Sequence, residues 1–286
     1  MRTRVIIAIF AVLIFLPAPT AVTAKESKLP DEIPLHGAGA HFAWIMFNEL
    51  QGDLEKSIGR PVKLYGKDSM YGVGCKAGIK MAKRNSADME TFGFTCCPLS
   101  PDELKKNGLT MYPLVWEPIM IVTHKSNPIN SLTLKQVRGI FSGKIMNWKE
   151  VGGSDKNIVL VTRLHCGKRP GHWKTIFPGK SDFREDRINV KGAEPMINTV
   201  SDFTNSIGHV GSGWQIKSTD KIKIIKIDGY EPNPENIKAK KYPFFRMQSI
   251  ITKGKASDSV KSVINFMKKS KEFKRVAKKY RMLPIE

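Results

Sequence analysis

The chain has 286 residues, 41 % hydrophobic and 26 % charged, which excludes a disordered or fibrous polymer and leaves room for one large or two medium cores. Its 47 Lys and Arg against 26 Asp and Glu give a formal charge of +21, a field that draws anions of every kind. Nucleic acid is not the expected partner: the basic residues are scattered, with only short runs such as Lys238-Ala239-Lys240-Lys241 and Lys268-Lys269, and no basic module is interleaved with aromatics.

In chain order, Arg2 and Arg4 precede an apolar run from Val5 to Leu16. Pro17 and Pro19 break that run before the small residues around Val22-Thr23-Ala24, a pattern that predicts an export signal over residues 1–24. The run is shorter than the ~20 residues of a membrane span. From Leu35 the chain reads Leu-His-Gly-Ala-Gly-Ala-His-Phe, a strand feeding through glycines into a helix on which Phe42, Ile45, Met46 and Leu50 share a face. Such a junction presents unpaired N–H groups and the positive end of the helix dipole, a seat for an anion. A strand over Val62–Tyr65 leads to a second glycine loop, Gly72-Val73-Gly74, which opens a second helix at Cys75.

Asp88 to Leu99 ends in the strand and turn Phe92-Gly93-Phe94-Thr95-Cys96-Cys97-Pro98-Leu99. Tyr112-Pro113-Leu114 then opens a strand running to Lys125, and Tyr242-Pro243-Phe244 opens another running to Lys253. Two such similar strands are what crossovers between two lobes would look like. They set expected boundaries at 25–117 with 248–286 for the first lobe and 118–247 for the second. Between them, Thr133 and Gln136 have the spacing of a capping box, Leu134, Val137, Ile140 and Phe141 fall on one helical face, and Gly143 supplies a left-handed stop. Ile158 to Thr162 is β-rich and leads to Arg163. Near the end, Val260, Val263, Ile264 and Met267, then Phe273, Val276, Ala277 and Tyr280, predict two amphipathic helices split by a cap at Ser270.

The stretch from Ser131 to Gly153 resembles the "LT-x-x-Q-x-x-x-I-F-x-G-K-I-x-N-W-x-x-V-G-G" segment of the periplasmic phosphate-binding (PstS-like) family. Further along, Ile207-Gly208-His209 resembles that family's "I-G-Y" strand and Ile227-Asp228-Gly229-Tyr230-Glu231-Pro232 its "I-D-G-x-x-P". The resemblance implies an α/β, two-lobe type II periplasmic binding protein fold with two hinge crossover strands. It implies a monomer that captures a small inorganic ligand for an ABC transporter permease or a membrane sensor protein, in the periplasm, and not an enzyme. It also implies a ligand set. The first loop falls on His41 and Phe42, with His41 where the family has a hydroxyl residue. Cys75 falls on a ligand serine and Cys96 on the aspartate that accepts the proton of hydrogen phosphate. Arg163 falls on the anion-gripping arginine, and His165 and Cys166 lie in what is otherwise a "G-S-G-T" loop.

A thiol is a weak donor and acceptor, so this pattern should weaken ordinary phosphate binding, while Cys75, Cys96 and Cys166 together suit a thiol-seeking metal or metalloid such as Zn(II), Cu(I) or arsenite. That ligand is the expectation. The alternatives are an ordinary phosphate or oxyanion site with structural disulfides, which four cysteines in an oxidising compartment would form by default, or a periplasmic thiol enzyme using Cys96-Cys97. A chain that kept the fold and lost its ligand is a third. His36, His124 and His172 have no role implied and are expected at the surface or at strand ends. The five tryptophans are expected in the core or in the cleft wall.

Overall fold

A computed structural model describes residues 33–286 apart from 67, 68, 71, 168, 170, 218 and 219. The export signal expected over 1–24 lies outside the described residues. The first part of the chain alternates strand and helix: β1 (Leu35–Gly39), α1 (His41–Ile58), β2 (Val62–Tyr65), α2 (Cys75–Lys83), β3 (Thr91–Thr95) and α3 (Pro101–Asn107). The long β4 (Leu109–His124) follows, then β5 (Ser131–Leu132), α4 (Leu134–Ser142), β6 (Val159–Thr162), β7 (Ile188–Asn189), α5 (Ala193–Asp202), β8 (Ser206–Gly211), β9 (Ile222–Ile227) and α6 (Pro234–Lys238). The chain returns through β10 (Phe245–Lys253) to α7 (Asp258–Lys269), α8 (Lys271–Lys279) and β11 (Leu283–Pro284).

The fold is the two-lobe α/β type II architecture. β1 pairs in parallel with β2 and β3, and β6 in parallel with β7 and β8, so each lobe carries the parallel strands of an open α/β sheet. The strands run in one path, β2-β1-β3-β10-β4-β8-β6-β7, because β4 and β10 pair with each other as well as with their own lobes. β4 is antiparallel to β10 as far as Pro118 and is handed over to β8 at Ile119. Sixteen residues give it the length to do both.

Each lobe has its own apolar core. In one, Leu35, Phe92 and Phe94 of the sheet pack with Phe42, Phe47 and Leu50 of α1, Val263 of α7 and Phe273 of α8. In the other, Ile121, Leu160 and Ile207 pack with Val137, Ile140 and Phe141 of α4, Trp148 and Tyr242. On the opposite face of that sheet, Val122 and Val161 meet Met196 and Val200 of α5. The capping box at α4 forms as the spacing predicts, with Thr133 accepting from the Gln136 N–H and Gln136 reaching back to the Thr133 N–H, and Gly143 closes the helix at φ 82°. Ser270 ends α7 and caps α8, accepting from the Phe273 N–H at 3.0 Å. Trp148 and Trp173 are buried as expected, but Trp44 is 37 % exposed.

Candidate functional site

The parallel strands β1, β3 and β6 all end at one place, and the loops leaving them build a cavity of about 400 Å³. α1 starts directly after β1, and the two glycine loops are laced together by the Gly74 N–H, which donates to Gly39 O at 2.7 Å, while the Ala40 N–H ties the first loop to β3 through Phe94 O at 3.1 Å. α2 lies flat on β3 because both carry glycine at the crossing. A Cβ on Gly93 would stand 2.0 Å from the Gly78 carbonyl oxygen, and one on Gly78 2.2 Å from that of Phe94. This close approach brings Cys75, at the start of α2, against the turn after β3, where its Sγ is 3.3 Å from Cys96 Sγ and accepts from the Cys96 N–H at 3.2 Å.

All seven residues singled out from the sequence, His41, Phe42, Cys75, Cys96, Arg163, His165 and Cys166, line this one cavity. Three helices begin on it, α1 after Ala40, α2 after Gly74 and α5 after Gly192, and none of the three has a side-chain cap. Their first N–H groups and dipoles therefore face the same space.

The electrostatics centre on two guanidinium groups. Among the described residues no carboxylate pairs with Arg163, and its buried Nε has no hydrogen-bond partner. Burial, and then the nearby Arg246 charge, pull it below the usual arginine value. Arg246, from β10, donates through Nε to Glu117 Oε2 at 2.7 Å, while its Nη1 is likewise unpartnered. Burial, the largest influence, would lower Arg246, but the charges of Glu117, Cys96 and Cys97 and the hydrogen bond to Glu117 together raise it. Glu117, from β4, is the carboxylate in the cavity lining, is 1 % exposed and also accepts from Gln248. One half-buried and one buried cation against one buried anion leave a net positive charge.

Behind Arg163 stands a histidine cluster. Ring centroids of His165 and His172 are 4.4 Å apart and those of His172 and His209 5.0 Å, and His209 Nε2 accepts from the Arg163 N–H at 3.2 Å. His172, expected at the surface, is instead buried, because a 3₁₀ turn over His172–Thr175 with positive φ at His172 folds it inward. His36 and His124 do sit in or at the end of strands, where they bond Tyr65 and Ser126. Burial, then the His165 and Arg163 charges, lower His209 to about 3, and burial with Arg163 lowers His41 to about 4. The ring of Trp214 stands 5.4 Å from His41 in the cavity wall.

All four cysteines are free. Cys97, which the sequence does not mark as a ligand, joins the other three: the sulfurs of Cys75, Cys96 and Cys97 lie within 4.8 Å of one another, and Cys97, His165 and Cys166 form a second such group. Sulfur hydrogen bonds from Cys75 and Cys97 hold Cys166 well below the ordinary thiol range, and the bond to Cys166 pushes Cys97 up. Glu117, Arg246, Cys97 and His209 are the site residues that sequence reasoning misses, whereas Trp214 stands in the cleft wall, one of the two places expected of the tryptophans. The residue pair Cys96-Cys97 is the one signal that could have pointed to any of them. A larger hollow of about 950 Å³ against α4, between Leu134, Arg138, Ile145 and Phe177, brings no comparable set of polar groups together.

Residues 35–271 match the family model for the PBP superfamily domain. Among curated relatives, the phosphate-binding protein PstS of Borreliella burgdorferi is 29 % identical over 181 residues, 60 % of this chain and 64 % of the relative, and that of Bacillus subtilis is 28 % identical over 170 residues, 57 % and 55 %. The matched segment thus spans between half and two thirds of those relatives' length. A Clostridium perfringens substrate-binding protein solved with bound phosphate has a TM-score of 0.71 at 27 % identity, covering 88 % of this chain and 99 % of that one. An ABC-type phosphate transport receptor from Vibrio cholerae has 0.62 at 26 %, with the same coverages.

Proposed function

This chain belongs to the PBP superfamily, with PstS-type phosphate-binding proteins among its relatives, and we propose that its cleft captures a tetrahedral oxyanion of the phosphate class. The observation that carries the reading is the convergence of three uncapped helix starts on the unpaired guanidinium of Arg163. Backbone N–H groups, helix dipoles and a planar cation are the donors an oxyanion needs, and a buried positive charge with orphan donors is costly until an anion meets it. The relatives add weight on the same side. They favour the oxyanion alternative over the thiol-seeking cargo expected from the cysteines.

In this reading the protein is a binding protein and not an enzyme. It is exported to the periplasm, closes its lobes (25–117 with 248–286, and 118–247) around the anion and presents it to an ABC transporter permease. Arg169, in the loop after β6, donates to both carboxylate oxygens of Glu103 at the start of α3, at 3.0 and 3.1 Å, a bond suited to holding the closed form. Where the family places a proton-accepting carboxylate this chain has Cys96, and Glu117 is already engaged by Arg246 and Gln248. Hydrogen phosphate therefore loses its special acceptor, and discrimination against sulfate should be weak.

Titration calorimetry of the reduced protein with phosphate, arsenate and sulfate tests this, with Trp214 fluorescence as a second readout. Saturable one-to-one binding of phosphate is expected, weakened by about two orders of magnitude in Arg163→Ala, the order of a lost charged hydrogen-bond pair. Phosphate binding left intact by that substitution, or no oxyanion binding at all, ends the reading.

A further inference from the structure

We propose that Cys75, Cys96, Cys97 and Cys166 form a binding site for one thiophilic metal ion of the Zn(II) class at the base of the cleft. These are the four cysteines of the chain, and three separate segments deliver them to one point: the start of α2, the turn after β3 and the loop after β6. Cysteines serving only as small core hydrophobes have no reason to meet. The sulfurs of Cys75, Cys96 and Cys97 already cluster as three corners of a coordination shell, and Cys166 Sγ lies within 4.8 Å of Cys97 Sγ. A tetrahedral Zn(II) with Zn–S bonds of about 2.3 Å sets its sulfurs about 3.8 Å apart. The Cys75 and Cys96 sulfurs are 3.3 Å apart, and each of the two groups that share Cys97 lies within 4.8 Å. Movement of Cys166 toward Cys75 and Cys96 closes the shell.

The surroundings fit as well. Cys75, Cys96 and Cys97 are buried and Cys166 is half-buried on the cleft side, so the site has one opening and a dry floor. Binding converts four thiols and Zn(II) into a tetrathiolate complex of charge −2, with four protons released to solvent and no change of oxidation state. Arg163 and Arg246 feel the charges of Cys96 and Cys97, and with Glu117 paired to Arg246 they leave one net positive charge beside the complex, which offsets half of its charge. One of these guanidiniums, that of Arg163, also serves the oxyanion in the reading above. Metal and oxyanion would therefore compete, although neither proposal depends on the other.

The test uses the reduced, metal-free protein under anaerobic conditions, with Co(II) as the spectroscopic probe and Zn(II) as the competitor. Sulfur-to-cobalt charge-transfer absorption saturating at one equivalent and abolished by one equivalent of Zn(II) is expected. Cys166→Ser, at the half-buried position, should lower Co(II) affinity about tenfold or more, and Cys97→Ser should remove the tetrathiolate spectrum. Circular dichroism on each variant checks folding, and if Cys97→Ser does not fold, Cys166→Ser decides. Absence of the charge-transfer band, or affinity unchanged in a folded Cys166→Ser, overturns the site. Phosphate titrated into the same metal-free sample separates the two proposals: phosphate binding without a cobalt band refutes the metal site alone, and a cobalt band without phosphate binding refutes the oxyanion reading alone.

Discussion

The helix starts of this protein fall into two groups. α3, α4, α6, α7 and α8 begin with a side chain, Ser100, Thr133, Asn233, Ser257 and Ser270 respectively, that accepts from a first-turn N–H. α1, α2 and α5 begin with Ala40, Gly74 and Gly192, which make no such bond, and these three begin at the cavity. A helix whose first N–H groups bond its own cap has spent them on stability, whereas an uncapped start leaves them for a ligand. Scaffold positions should thus respond to mutation in stability alone, and cavity positions in stability and binding together.

The largest effect should come from the cavity side. Glu117→Ala leaves Arg246 buried without its counter-ion and should cost about 3–5 kcal/mol in urea unfolding. Because an oxyanion can take over the charge, added phosphate should return more stability to this variant than to the parent. Equal gains would mean that Arg246 does not face the ligand.

The histidines give the next effect. His209 titrates near 3 in the fold against 6.5 unfolded, and His172 is shifted the same way. Between those values the unfolded chain holds more protons, so stability is full above about pH 6.5 and falls as pH drops toward the folded value, by up to about 1.4 kcal/mol per pH unit for each histidine. His209→Gln, which keeps an acceptor for the Arg163 N–H, should flatten the acid limb of a plot of Tm against pH. An unchanged slope would show that His209 is not buried neutral.

The smallest effects draw the contrast most directly. Thr133→Ala should cost about 1 kcal/mol and leave phosphate affinity unchanged. Ala40→Ser should do the reverse, raising the ligand-free Tm slightly by capping α1 and weakening phosphate binding a few-fold as the new hydroxyl competes for the same N–H groups. Tighter phosphate binding in Ala40→Ser would break the comparison.

Much of this was legible in the sequence because it is local. The capping box at Thr133, the stop at Gly143, the cap at Ser270 and the glycine loops before His41 and Cys75 each lie within a few residues of what they control, and the structure forms them as read. His172 was misread for the opposite reason: its burial follows from a 3₁₀ turn with positive φ, which no helical or strand periodicity announces.

By itself the sequence determined the α/β type, the starts of α1, α2, α4 and α8 and the stop of α4, and its resemblance to the phosphate-binding family implied a ligand set of Arg163 and cysteines from three segments. Only the tertiary structure decided what surrounds them. Arg246 meets Glu117 across 129 positions through the register of β10 on β4, Gln248 reaches the same carboxylate from the same strand, and Cys97 becomes the sulfur shared by two groups. A cap is settled by chain geometry over three residues, but the pairing of a buried charge or the closing of a sulfur cluster depends on strand register. That register is set by the packing of two whole cores.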